Sequence, residues 1–89
     1  MIQKKLTIIN KLGLHARAAA KFVAHASRYS SDIFVLRDKQ RVNGKSIMGV
    51  MMLAANKGSE LELHIEGEDE QAAFIALENL INDRFGEKD

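Results

Sequence analysis

The chain has 89 residues, no cysteine and no proline, and its 13 basic and 12 acidic residues leave a net charge of +1. That length suits one domain, residues 1–89, with a modest core that buries about 60–65% of the unfolded surface. Near-neutral charge and 6% aromatic content argue against a nucleic-acid binder, the lack of cysteine excludes thiol chemistry, and the absence of a long apolar run argues against a signal peptide or membrane span, so a cytoplasmic protein is expected.

The first strand is expected over Lys4 to Ile9, with Ile2, Lys4, Leu6 and Ile8 on one face and Lys5, Thr7 and Ile9 on the other. Asn10-Lys11-Leu12-Gly13 is the loop that follows, and the glycine marks a turn. A helix begins at Ala16 and runs to about Arg28, with Ala19, Phe22, Val23 and Ala26 as its apolar stripe. Asp32 to Arg37 is the second strand, in which either Ile33 and Val35 or Phe34 and Leu36 face the core. The polar pair Asp38-Lys39 predicts a hairpin into Gln40–Asn43.

Ser46 is a plausible N-cap for a short helix from Ile47 to about Leu53. That helix is too apolar for a small domain to bury completely, so exposed Ile47, Met48 and Met51 would mark a protein contact; plain core packing is the alternative. Glu60 to Glu66 alternates cleanly, with Leu61, Leu63 and Ile65 inward. Glu68-Asp69-Glu70 opens the last helix, whose buried stripe is Ala73, Phe74, Leu77, Leu80 and Ile81, with Arg84 in its last turn and Gly86 as the stop. The order β-α-β-β-α-β-α gives an α+β fold: one antiparallel sheet with helices on one face.

Three histidines are candidates for chemistry, and only His15 combines a turn glycine, a helix start and a nearby arginine. At a helix N-terminus, free amides and the positive end of the dipole hold anions, and Arg17 adds a guanidinium. A histidine so placed can take a phosphoryl group covalently, although a cap or an ordinary surface residue is the blander reading. His25 reads as a partly exposed helix residue, and His64 as part of a solvated strand face with no metal-ligand spacing. Ser46 reads either as a cap or as a hydroxyl that can be phosphorylated at a helix N-terminus. Gly44-Lys45-Ser46 lacks the earlier glycine of a P-loop, since Lys39 stands there.

Gly13-Leu14-His15-Ala16-Arg17, with Lys45-Ser46-Ile47-Met48 and Gly67-Glu68-Asp69-Glu70-Gln71 in order behind it, resembles the HPr family of the bacterial phosphoenolpyruvate-dependent phosphotransferase system, including its nitrogen-branch paralogue NPr. The resemblance spans nearly the whole chain. It implies an open-faced β-sandwich of four antiparallel strands with three helices on one side. It also implies a monomeric phosphocarrier, itself no enzyme and without cofactor or metal. His15 Nδ1 would accept a phosphoryl group from enzyme I and pass it to IIA components of sugar transport or a regulatory branch. Arg17 and the amides of Ala16 and Arg17 would cradle that group. Ile47, Met48 and Met51 would form the partner interface with Lys21 and Lys45, and Ser46 would be the site modified by an HPr kinase/phosphorylase. This chain departs from the family at Ala18, where many members have proline, and at Ser27 and Gly49, where many have lysine; Lys21, Arg28 and Lys45 would compensate. The rival from another class is a non-catalytic regulatory module that docks through the Ile47–Met51 helix.

Overall fold

The protein is described by a computed structural model covering residues 1–89. Strands β1 (Ile2–Thr7), β2 (Asp32–Arg37), β3 (Gln40–Asn43) and β4 (Glu60–Glu66) form one antiparallel sheet in the order β1-β4-β2-β3. Helices α1 (Ala16–Ala26), α2 (Ile47–Met52) and α3 (Glu70–Asn82) cover one face, giving the expected open-faced sandwich.

The register explains which face is buried. Ile2, Lys4 and Leu6 of β1 pair with Ile65, Leu63 and Leu61 of β4, and Ile65 and Leu63 pair in turn with Ile33 and Val35 of β2. Because strand side chains alternate, those β4 and β2 residues all point at the helices and are almost fully buried. The choice left open for β2 is thereby settled: Ile33 and Val35 face the core. Phe34 and Leu36 lie half-buried on the open face, where the Arg41 guanidinium sits 3.7 Å from the Phe34 ring centroid. The β2–β3 hairpin closes through Asp38-Lys39, with Asp38 at φ 55.

Several boundaries differ from expectation. β1 spans Ile2–Thr7 rather than Lys4 to Ile9, because its ladder runs from Ile2↔Ile65 to Thr7↔Glu60 and stops where β4 begins. Ile8 stays buried beyond the strand, donating to the Ser59 carbonyl and accepting from the Gly58 amide. Lys4 reaches solvent from the core side because β1 is an edge strand. α1 ends at Ala26 instead of near Arg28; the Arg28 amide reaches back only three residues, to His25, in a tightened turn. Its buried stripe includes Ala18, while Val23 is half-buried.

The stripe of α3 narrows to Ala73, Leu77 and Ile81, spaced four apart, and Phe74 and Leu80 are only half-buried. Arg84 falls outside α3. It starts a separate 3-10 turn, Arg84–Gly86, in which Arg84 and Phe85 have φ 55 and 56. That reversal drives Phe85 into the core at 1% exposure, a buried residue that helical periodicity did not predict.

Candidate functional site

The loop after β1 is built to one shape. Gly13 has φ +66, and a Cβ there would stand 2.4 Å from the Ala55 carbonyl oxygen, so only glycine fits. Buried Leu14 follows, its amide donating to the same Ala55 carbonyl at 2.8 Å. Asn10, also buried, donates through Nδ2 to the Gly13 carbonyl at 2.8 Å and to Glu87 Oε1 at 3.0 Å. The segment after α2 and the C-terminal tail thus clamp the loop from two sides and fix where α1 starts.

His15 is the N-cap of α1, in extended backbone, and its side chain makes no capping bond. The first bond of the helix runs from the Ala19 amide to the His15 carbonyl at 2.8 Å. The amides of Ala16, Arg17 and Ala18 therefore have no acceptor one turn back. No acidic residue occupies the first turn, and Arg17 is exposed and outside every ion pair. An anion arriving at this end meets free amides, the positive end of the helix dipole and an uncommitted guanidinium.

The imidazole is held from the other side. His15 Nε2 pairs with Glu87 Oε2, across 72 residues of chain. Burial pushes the Glu87 carboxyl up, but donation from Asn10 and His15 and the charges of His15 and Lys21 more than offset this and hold it below the ordinary glutamate range. Glu87 is therefore ionised at neutral pH and can only accept a hydrogen bond. The bond to it requires the proton on Nε2, which leaves the lone pair of the neutral ring on Nδ1. Phe85 anchors the tail in the core, Lys21 Nζ donates to the Phe85 carbonyl at 2.6 Å, and the Lys11 amide donates to the Asp89 carbonyl at 2.8 Å. The result is a shallow cleft with His15, Ala16, Arg17 and Leu12 on one wall and Glu87–Asp89 on the other.

The second candidate region is α2. Ser46 is its N-cap, and Ser46 Oγ accepts from the Gly49 amide at 3.1 Å. Gly49 packs closely there, since a Cβ would lie 3.3 Å from both Ser46 Oγ and Val42 Cβ. Val50 and Leu53 are buried, whereas Ile47, Met48 and Met51 are exposed by 44, 75 and 41%, with Met52 beside them at 67%. Core packing is thus the wrong reading for the three exposed residues, and the patch is larger than expected.

The two lysines expected at a partner rim are not free. Lys45 Nζ donates to the Tyr29 carbonyl at 2.7 Å, and Lys21 is tied to Phe85. Arg28 is exposed. His25 Nδ1 bonds the Lys21 carbonyl at 2.8 Å, and His64 pairs with Glu62 on the open sheet face. No group of three or more metal-binding side chains is present, and no helix is long and apolar enough to cross a membrane. Sequence reasoning placed His15, Arg17 and the amides of Ala16 and Arg17 together, as the structure does. It missed Asn10, Leu12 and Glu87. For Glu87 no local signal exists, because its role depends on a tail reversal at residues of positive φ.

Residues 2–83 match the family model described as the PTS HPr component phosphorylation site. The phosphocarrier protein HPr of Pseudomonas aeruginosa is 62% identical over 84 residues, covering 93% of each chain. A crystal structure of HPr from Thermoanaerobacter tengcongensis superposes with a TM-score of 0.95 at 49% identity, covering 99% of each chain. A crystal structure of an HPr dimer from the same organism gives a TM-score of 0.79 at 49% identity, covering 98% of this chain and all of that one.

Proposed function

Since the chain belongs to the HPr family of phosphotransferase-system phosphocarriers, we propose that it carries a phosphoryl group on His15 Nδ1, taken from the phosphohistidine of enzyme I and delivered to a IIA component. The observation that carries this reading is the helix end itself. His15 presents an unpartnered Nδ1 beside unfilled amides and free Arg17, while Nε2 is occupied by Glu87. An attacking imidazole needs its lone pair aimed at phosphorus, and the phosphoryl oxygens need donors that are already oriented. The free Nδ1, the first-turn amides and Arg17 are the groups that would meet these needs. The chain performs no turnover alone: one partner loads it, another unloads it, and it works as one cytoplasmic, monomeric domain over residues 1–89.

Partners would dock on the α2 patch of Ile47, Met48, Met51 and Met52, where methionines accommodate more than one surface. With Lys21 and Lys45 bonded to backbone carbonyls, the exposed Arg28 and Arg17 of the α1 side would supply positive charge for that role. Ser46 is the proposed target of an HPr kinase/phosphorylase: its oxygen caps α2, and a phosphate there would put charge at the edge of the docking patch. The reading is tested by intact mass after incubation with phosphoenolpyruvate, magnesium and a cognate enzyme I. One acid-labile phosphoryl group should appear on the protein and be absent from His15→Ala. An unchanged mass, with a known carrier loaded in the same tube, would leave only a docking module.

A further inference from the structure

Phosphoryl transfer through histidine has two halves, and they make opposite demands on the ring. Loading needs a lone pair on the attacking nitrogen. Unloading needs the ring to be a good leaving group, and it is one only while its other nitrogen keeps a proton. An N-phosphoimidazole protonated on the second nitrogen departs as neutral imidazole; without that proton it must depart as imidazolate, a far poorer leaving group.

We propose that Glu87 is a positioning residue that keeps the proton on His15 Nε2 through both half-reactions. The inference rests on the carrier reading above and deepens it. On loading, the Nδ1 electron pair forms the bond to phosphorus as the bond to the donor's imidazole breaks and returns its pair to the donor. The His15 ring becomes a phosphoimidazolium, and its positive charge faces the Glu87 carboxylate. On unloading, an electron pair of the acceptor's nucleophile forms the new bond to phosphorus as the P–Nδ1 bond breaks and returns its pair to Nδ1, and the Nε2 proton has not moved.

The geometry supports this in three ways. Glu87 uses one oxygen for His15 Nε2 and the other for Asn10 Nδ2, so its orientation is fixed by a buried amide. Asn10 is itself held by the Gly13 carbonyl, within the loop that places His15. The backbone delivering Glu87 is fastened at the Phe85 carbonyl by Lys21 and at the Asp89 carbonyl by Lys11. A carboxylate that merely brushed the ring would need none of these ties. The other charged groups lining the cleft at the ring are Arg17 from α1, Lys11 from the preceding loop, and Lys88 and Asp89 from the tail, while Lys21 of α1 acts on the Glu87 carboxylate. The cations among them oppose a proton on the ring, which makes an anion at Nε2 the group able to retain it.

The experiment is the pH profile of phosphoryl loss from loaded protein, followed by intact mass between pH 6 and 10, for the unaltered chain, Glu87→Gln and Glu87→Ala. Loss should slow as the Nε2 proton leaves. Removing the carboxylate should move that midpoint down by about one pH unit, the usual reach of a neighbouring charge. Above both midpoints the variants should lose the group about tenfold more slowly. Nitrogen-15 shifts of the loaded ring should show the same displacement. Glu87→Gln keeps the shape of the tail and the Asn10 contact, so it decides the matter if Glu87→Ala loosens the tail. An unmoved midpoint in Glu87→Gln, with normal loading, overturns the role of Glu87 and leaves the carrier reading standing. Failure of the unaltered chain to load at His15 takes both down.

Discussion

Each α-helix in this molecule begins at a polar N-cap residue, and two of those ends are finished in opposite ways. At α2, Ser46 turns its oxygen onto the Gly49 amide and closes the helix end from within. At α1, His15 points away from its own helix toward Glu87, and the first-turn amides stay open. The closed end stabilises a helix of six residues, too short to persist on its own. The open end gives up that stabilisation, and a helix of eleven residues packed through Ala18, Ala19, Phe22 and Ala26 can tolerate the loss. A third solution appears at α3. Asp69 stands at its N-cap without capping it, and its carboxylate instead takes the amides of Ser30 and Ser31 and both their hydroxyls. Capping chemistry is thus used once for local stability and once for tertiary fastening, and at α1 the N-cap side chain leaves the first-turn amides uncapped.

The contrast breaks most sharply at the open end. If the amides and guanidinium of α1 hold a transferring phosphoryl group, Arg17→Ala should slow loading from enzyme I by about 100-fold, the usual cost of losing one preorganised donor. Melting temperature should barely change, because Arg17 is exposed and unpaired. Arg17→Lys should recover part of the rate, since it restores charge without the planar fork. Stopped-flow loading by enzyme I measures both variants. An unaffected rate in Arg17→Ala would mean that the open end is a structural accident.

Asp69 comes next, and here the effect is on stability alone. Its carboxyl is held down to about 2 from 3.8, chiefly by the Ser31 hydroxyl and then the Ser30 amide, against the opposing effect of burial. A carboxyl lowered on folding stabilises the fold above its unfolded value and loses that contribution as pH falls toward the folded one. Asp69→Asn should therefore destabilise the protein at pH 7, because several donors from another loop lose their charged acceptor. The gap between variant and unaltered protein should close between pH 4 and pH 2. Urea midpoints across that range test the sign; a gap that widens with acid would contradict the assignment.

How much of this was legible in the sequence follows from how local each feature is. β4 was read to the residue because Leu61, Leu63 and Ile65 alternate with polar neighbours. The capping role of Ser46 and the start of α1 were legible because each is decided within four residues. The end of β1 was not, since it is set by where its ladder partner begins, more than fifty residues away in the chain. Phe85 and Glu87 were hidden more deeply. Both lie beyond a helix, and two consecutive non-glycine residues of positive φ carry the chain back over the site, a conformation that residue preferences argue against. Lys21 and Lys45 show a different limit. Exposed cations are the ordinary expectation, but flexible ammonium groups found backbone carbonyls to bond.

The smallest expected effect lies at the closed end, and it bears most directly on whether the two ends are separate devices. Ser46→Ala removes the oxygen that accepts the Gly49 amide, and loss of such a cap costs about 1 kcal/mol. For a domain of this size that lowers the melting temperature by about 4–8 °C. Loading of His15 should keep its rate, because no hydrogen bond joins Ser46 to the His15 loop; the α2 side reaches that loop through the Ala55 carbonyl, beyond the end of the helix. A melting scan and a loading assay on the same preparation separate the possibilities. A lower melting temperature with unchanged loading means that the cap serves the docking helix alone. If loading falls as well, α2 and the phosphoryl site respond as one unit, and phosphorylation of Ser46 would then act through the fold as well as through charge at the docking patch.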